Sequence, residues 1–451
     1  MKLYPRLFTV LFSFGIFYLF GFSSESYAQT KFTGFIRNYN AVQTVPDHNI
    51  LVGRNRFRLN LRHSLSAGQI VVSNDVQNYY HRSVDSLSYR LREAYVELFF
   101  KKSDLRLGRQ IIAWGRTDGA FVTDLVSPAD LSEFLTRSFS DIRTGVDALT
   151  YYRYFGSDYL QLVVNPVFSP NKTPEPGDRW FPRTFFDGDL PVQFQQFRRE
   201  PALKNAQAAG RLAMRSNLHY DLDLGILYWH YPNPGYYKTF QAEPGTHGNL
   251  HLQEHFTQSL VFFYSGVVQL GNRLLFKSES SFYTHRSFDY LPEDLQEINY
   301  ENPSPGEQLR LKEAFSRNDD GFLADQPWLI GMAGLEYETG GWTIGTQVIS
   351  EFIFGHDDEL LQKQHYRYAT LLLQRSFMRD KLEFRGFGRY NIDGRDFWVN
   401  PEITYSGIDS FEASLGTHLF GGPEPEPFYG HLSFENYSSN SFGYLQVTAY
   451  F

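Results

Sequence analysis

The chain has no cysteine and only four methionines among 451 residues, so disulfide frameworks and thiolate metal sites are excluded. Positive charge is scarce as well: 42 Lys and Arg stand against 50 Asp and Glu, a formal net charge of -8. No basic stripe is large enough to neutralise a row of phosphates, which argues against nucleic acid as a partner. Beyond residue 22 no uninterrupted apolar run reaches the roughly 20 residues that a membrane helix needs. The surplus is in aromatic side chains, with 30 Tyr and 42 Phe.

The one long apolar run opens the chain. Lys2 and Arg6 precede Leu7 to Phe22, and Ser26 and Ala28 fit the small-x-small rule for signal cleavage. This stretch of 16 residues, nearly all apolar, is short for an anchor. Residues 1–28 therefore read as a cleaved signal peptide, and 29–451 as a single exported domain. An exported chain without membrane helices is either soluble or a β-barrel.

Strand patterning favours the barrel. In 52–63, Phe57, Leu59 and Leu61 alternate with Arg54, Arg56, Arg58, Asn60 and Arg62, as expected where one face meets lipid and the other a watery lumen. In 88–100, Ala94, Val96, Leu98 and Phe100 alternate with Glu93, Tyr95 and Glu97; Arg90 and Arg92 fall on the apolar parity and need a bulge or a headgroup-level position. Further candidates are 32–42, 67–80, 104–114, 142–155, 157–167, 206–218, 220–231, 254–268, 272–285, 327–338, 341–354, 364–377, 380–392, 396–406, 410–420 and 442–451. Tight turns such as Ser64-Leu65-Ser66, Lys101-Lys102-Ser103 and Gly271-Asn272 alternate with long links. Short periplasmic turns and long outer loops are the barrel signature. The fold class expected is thus all-β: a transmembrane antiparallel barrel of 18 strands, with 16 as the nearest alternative and 421–441 as an outer loop. Gly443, Leu445, Val447, Ala449 and the terminal Phe451 share one parity in the last strand.

That closing strand resembles the carboxy-terminal insertion signal of bacterial outer-membrane barrels. The resemblance implies that the insertion machinery binds through the strand ending in Phe451, and that lipid and lipopolysaccharide are the other partners. Leu91-Arg92-Glu93-Ala94-Tyr95-Val96-Glu97-Leu98, then Gly108-Arg109-Gln110, Trp114-Gly115 and Pro128-Ala129-Asp130-Leu131, resemble a group of Gram-negative porin-like barrels. They are more distantly similar to the alginate-export and substrate-specific porins. The specific likeness spans Tyr89 to Pro170 and implies an outer-membrane, passive channel that needs no cofactor.

The lumen chemistry expected of such a barrel is mixed. Arg54, Arg56, Arg58 and Arg62 form a ladder on one face, and Arg211, Arg215, Arg385 and Arg389, with Arg143 and Arg153, are further inward candidates. Glu93, Glu97 and Asp147 are inward acids, as are Glu279, Glu351, Glu383 and Glu412. Either these charges neutralise one another, or the ladder guides an anionic solute. Segment 115–141 carries Asp118, Asp124, Asp130, Glu133 and Asp141, with a short helix expected over 128–135. By the porin resemblance it folds inward as a constriction, its acids facing the ladder; otherwise it is a surface loop. Trp180, Phe181, Phe185 and Phe186 in the 168–205 link either stack on sugar or pack a cap. Residues 286–326 are acidic, and Ser304 to Glu307 carries a capping box for a surface helix.

Chemistry of other kinds is poorly supported. His356-Asp357-Asp358 has the letters of a water-activating site but sits alone in a polar loop, and His63-Ser64 are strand neighbours that point apart. His247, His251, Glu254 and His255 would converge on a metal only in a helix, which the surrounding pattern opposes. The expectation is no enzyme and no metal: a channel passing small anionic or sugar-like solutes, or else a loop-occluded barrel serving an outer-membrane complex.

Overall fold

The computed structural model describes residues 29–44, 49–80, 87–175, 178–181, 192–195, 205–215, 219–241, 249–298, 304–318, 321–425 and 430–451. The signal peptide, Phe185, Phe186 and His247 lie outside the described residues.

Alternating apolar and polar side chains cannot be buried on both faces of a strand, so the strands pair into one sheet that curls until its edges meet. The first half of the wall is β1 (Thr30–Gln43), β2 (Ile50–Leu65), β3 (Gly68–Tyr79), β4 (Leu87–Phe100), β5 (Ser103–Gln110), β6 (Val146–Phe155) and β7 (Asp158–Asn165). Three short strands, β8 (Val192–Gln195), β11 (Gly235–Gln241) and β12 (Asn249–His255), leave the wall and make a small separate sheet. The wall continues through β9 (Gln207–Arg215), β10 (Tyr220–His230), β13 (Gln258–Gln269), β14 (Leu274–Asp289), β15 (Leu323–Thr339) and β16 (Trp342–Ile353). It ends with β17 (His365–Phe377), β18 (Leu382–Asn391), β19 (Asp396–Ile408), β20 (Phe411–Gly421) and β21 (Phe442–Tyr450). Every neighbour pair in the 18-stranded sheet is antiparallel, and β1 pairs with β21 from Phe35↔Tyr450 to Gln43↔Phe442, which closes the barrel. Phe451 completes the seam: its carbonyl accepts from the Gly34 N–H at 2.9 Å, and its ring stacks on Phe57 at 5.8 Å.

The outward parity carries an apolar belt. Ile36, Phe57, Leu107, Leu162, Ile226, Phe262, Leu335, Val348, Leu371, Ile403, Leu415 and Leu445 all stand exposed on it. Water would not tolerate a continuous apolar belt of this extent, and lipid covers it in a barrel that spans a membrane.

All 18 expected wall strands are present. The three strands of the small sheet were not anticipated, and the expected 254–268 strand is divided at Phe256–Thr257 between β12 and β13. The bulge required by Arg90 and Arg92 is there. Ser73 pairs with Glu93 while Asn74 pairs with Leu91, leaving Arg92 as the extra residue.

Outer links carry the few helices: α1 (Phe139–Ile142), α2 (Glu293–Gln296) and α3 (Pro305–Arg317). The expected capping box starts α3, with Ser304 accepting from the Glu307 N–H and Glu307 accepting from the Ser304 N–H. The helix expected over 128–135 is absent; that stretch is turns, and α1 follows it instead. Its backbone is drawn into other partners, since Asp130 N–H bonds to Ile142 and Leu131 N–H to Lys172.

Candidate functional site

The link between β5 and β6, residues 111–145, folds into the barrel. The Gly-Arg-Gln and Trp-Gly residues set its course. Gly108 has φ +127, a conformation that L side chains rarely adopt, and a Cβ there would run into the Ala94 carbonyl. Gln110 is fully buried; its amide donates to the Ala148 carbonyl and accepts from Thr150, both at 2.9 Å. Trp114 donates its indole N–H to Gln161 at 3.1 Å and stacks on Phe263. Its backbone N–H reaches Asp124, against which Gly115 packs too closely for any side chain. Ile112, Trp114, Val122, Leu125 and Val126 then join inward side chains of β6 through β17 in one apolar cluster inside the barrel.

From this base the link is fastened to opposite walls. On the β10–β16 side, Glu279 of β14 is 1% exposed and accepts from Thr117, Thr123, Ser265 and the Arg116 N–H. Arg116 also bonds Asp223 at 3.1 Å, and Asp118 accepts from Gln347 at 3.0 Å.

The β1–β4 side is a dense cluster of charges. Arg54 bonds Glu133 at 2.5 Å, with the two side chains 3% and 1% exposed. Glu133 also accepts from Arg137 at 2.9 Å and from the Tyr79 hydroxyl. Asp141 takes Arg37 at 3.0 Å, Arg56 at 2.8 Å and Arg58 at 2.9 Å, while Arg58 forks onto Asp75. Arg90 spans Asp75 and Asp130, and Arg92 donates to the Asp141 carbonyl at 3.1 Å. Burial alone would raise the Glu133 carboxyl, but Arg54 and Arg137 hold it well below the ordinary carboxylate range. Asp141 is held low in the same way by Arg56, Arg58 and Arg37. Burial dominates at Asp118 and Asp124 and pushes both up.

The ladder residues thus have different surroundings. Arg54 and Arg56 are buried beneath the link and Arg58 is mostly covered, whereas Arg62 is exposed and makes no ion pair among the described residues. Glu97 is paired with Arg106 at 2.8 Å, and Glu93 accepts from the Ile111 N–H at 3.1 Å. Arg211 bonds Tyr159 and Gln161, and Arg215 bonds Asp223 at 2.7 Å. Arg385 and Arg389 carry no ion pair among the described residues and lie over aromatic rings, Arg389 at 3.7 Å from the Tyr368 centroid. Asp147 is misplaced by the sequence reading. The register Arg109↔Asp147 puts it on the outward parity, paired with Arg109 at 2.6 Å and half exposed. Arg153 also faces outward, opposite Ser103, and Arg143 is held by Asp124 within the link.

Two cluster arginines, Arg37 and Arg137, were missed, and Arg90 and Arg92 were flagged for a bulge but not assigned to the lumen. Strict alternation put Arg90 and Arg92 on the lipid side, and the bulge alone turns them inward. Two charges on an otherwise apolar parity were the available signal.

The outer links add an aromatic plug. Phe134 has φ +49 and stacks on Tyr437 at 4.2 Å, with Trp180, Phe420 and Phe434 around it. Trp180 is 2% exposed, so it packs this cap and is not free to stack on sugar. His356 bonds the Gln362 carbonyl, and His63 points outward to Thr30. His251, Glu254 and His255 lie on β12, not on a helix.

A family model described as "Protein of unknown function (DUF1302)" matches residues 28–150, which takes in β1 through β5 and the whole inward link. No curated protein matches the chain. Among solved structures it is similar to Acinetobacter baumannii OccAB1, at 8% identity over 95% of this chain and 99% of that one, with a TM-score of 0.54. It is similar also to Pseudomonas aeruginosa OccK8 (OprE), at 8% over 94% and 98% with TM-score 0.53. The outer membrane protein OpdK of Pseudomonas aeruginosa matches at 9% over 94% and 98% with TM-score 0.51. At such identities the likeness is one of fold, and it runs along the whole chain: the protein has the closed barrel fold of these proteins.

Proposed function

We propose that the protein is an integral outer-membrane channel of porin type, passing small solutes through a lumen narrowed by its own 111–145 link. The observation that carries this reading is the two-sided fastening of that link, to the arginine cluster on β1–β4 and to Glu279, Asp223 and Gln347 on the facing wall. A link held in this way sets a fixed aperture, as a selective pore requires. Arg62, Arg385 and Arg389 make no ion pair among the described residues, which favours solutes carrying an anionic group. The test is single-channel current of the refolded protein in a planar bilayer, with the reversal potential under a salt gradient. Stable steps with a reversal potential on the anion side support the reading.

A second reading has its own observation. Phe134, Trp180, Phe434 and Tyr437 interlock three separate links inside the barrel, which suits an occluded barrel acting through its outer loops. Absence of conductance across many insertions selects that reading.

A further inference from the structure

Below the arginine cluster, toward the short turns, the lumen wall of β1–β4 holds a recess of about 330 Å³ lined by Lys31, Thr33, Asn60, Arg62, Ser73 and Glu93, among others. Its layout follows from register. Thr33, Asn60, Ser73 and Glu93 are successive cross-strand partners, so one polar row crosses four strands and ends in a carboxylate. The next row toward the turns begins with Lys31 directly opposite Arg62 and continues to Val71.

Two like charges facing each other across a strand pair repel. Elsewhere on these strands the inward cations are compensated: Arg37, Arg54, Arg56 and Arg58 each have a carboxylate. Lys31 and Arg62 have none among the described residues. Glu93 has one oxygen engaged by the Ile111 N–H, and no cation of the described residues pairs with it. The recess therefore has two uncompensated cations at one corner and an uncompensated carboxylate at the other. Asn60 and Ser73, bonded to each other at 2.6 Å, lie between them.

Resting on the channel reading for its access route, we propose that this recess is a binding site for a small zwitterion whose carboxylate and ammonium are set several bonds apart, as in an ω-amino acid or a dipeptide. Lys31 and Arg62 take the carboxylate, Glu93 takes the ammonium, and the Asn60–Ser73 pair meets the polar middle. Glu93 and Arg62 are two strands and one inward row apart, about 12 Å between backbones, a span suited to a molecule with separated charges rather than to a simple anion. The volume is at the small end of the roughly 300–1,000 Å³ that ligand sites occupy.

The test is calorimetric titration of the refolded full chain in detergent with glycylglycine, with acetate and methylammonium as single-charge probes. Glycylglycine is expected to bind at least tenfold more tightly than either. Glu93→Gln is expected to remove that preference while leaving acetate binding, and Lys31→Gln with Arg62→Gln to abolish both. Equal affinity for glycylglycine and acetate, or a preference that survives Glu93→Gln, overturns the proposal. Binding in detergent needs no conduction, so a protein that binds the dipeptide but passes no current refutes the channel reading alone. A conducting protein that ignores the dipeptide refutes the zwitterion site alone.

Discussion

Glu133→Gln tests the clamp that holds the link inside the barrel. The carboxylate is 1% exposed and serves Arg54 at 2.5 Å and Arg137 at 2.9 Å. The amide has the same shape, so packing changes little, but its single oxygen keeps only one of the Tyr79 and Thr136 hydroxyl bonds, which fall on different oxygens of Glu133. The larger change is in charge, because Arg54 and Arg137 are left buried with less compensation. Removing one partner of a buried ion pair costs about 3–5 kcal/mol. Because two cations lose their partner, the upper half of that range applies, although Arg137 keeps Asp130 at 3.2 Å. A loss of about 4 kcal/mol raises the undocked population nearly a thousandfold, at 1.4 kcal/mol per tenfold. In planar bilayers the variant should show frequent steps to a larger conductance, and the refolded protein should unfold at lower temperature. Arg54→Met with Glu133→Leu, which removes both charges of that pair, should recover the share of the loss due to Arg54, while Arg137 keeps only Asp130. Unchanged conductance steps and melting in Glu133→Gln would refute the view that this pair holds the aperture.

Glu279→Ala should release the opposite end of the link and raise mean single-channel conductance, since four donors lose one acceptor. Phe134→Gly removes a backbone strain of about 1–3 kcal/mol but also the ring that joins three links; increased protease cleavage in 168–205 is expected, with Phe134→Trp close to native. Gly108→Ala sets a Cβ against the Ala94 carbonyl at a left-handed φ and should sharply lower refolding yield on gel-shift assays. The clamp acids Glu133 and Asp141 are held low, so their stabilisation is present above the unfolded carboxylate value and is lost only as pH falls through the depressed folded value. Burial raises Asp118 and Asp124, so their contribution moves the other way and acidification favours the docked link. Conductance should therefore hold steady from neutrality down to about pH 4, the ordinary carboxylate range, and a larger-conductance state appearing near pH 5 would contradict this.

The sequence determined the wall. Lipid on one side and water on the other impose a period of two on every strand, and that period is visible in a single chain: 52–63 and 442–451 show it without ambiguity. The capping box of α3 was legible for the same reason, being written in residues three apart. The small sheet of β8, β11 and β12 was not, because short strands in outer links have no lipid face to set a period. Asp147 and Arg90 mark where alternation misleads. Asp147 lies on the outer wall beside Arg109, a pairing that depends on the register between two strands. Arg90 faces inward through one extra residue at Arg92. The fate of the ladder was settled only in three dimensions. Spacing alone puts Arg54, Arg56, Arg58 and Arg62 on one face, yet the folded link covers the first two with Glu133 and Asp141 and leaves Arg62 open. Local periodicity fixes which way a side chain points. Which charges meet depends on where a 35-residue link crosses the lumen, and that is decided by contacts between residues more than 100 positions apart, such as Arg116–Asp223 and Thr117–Glu279.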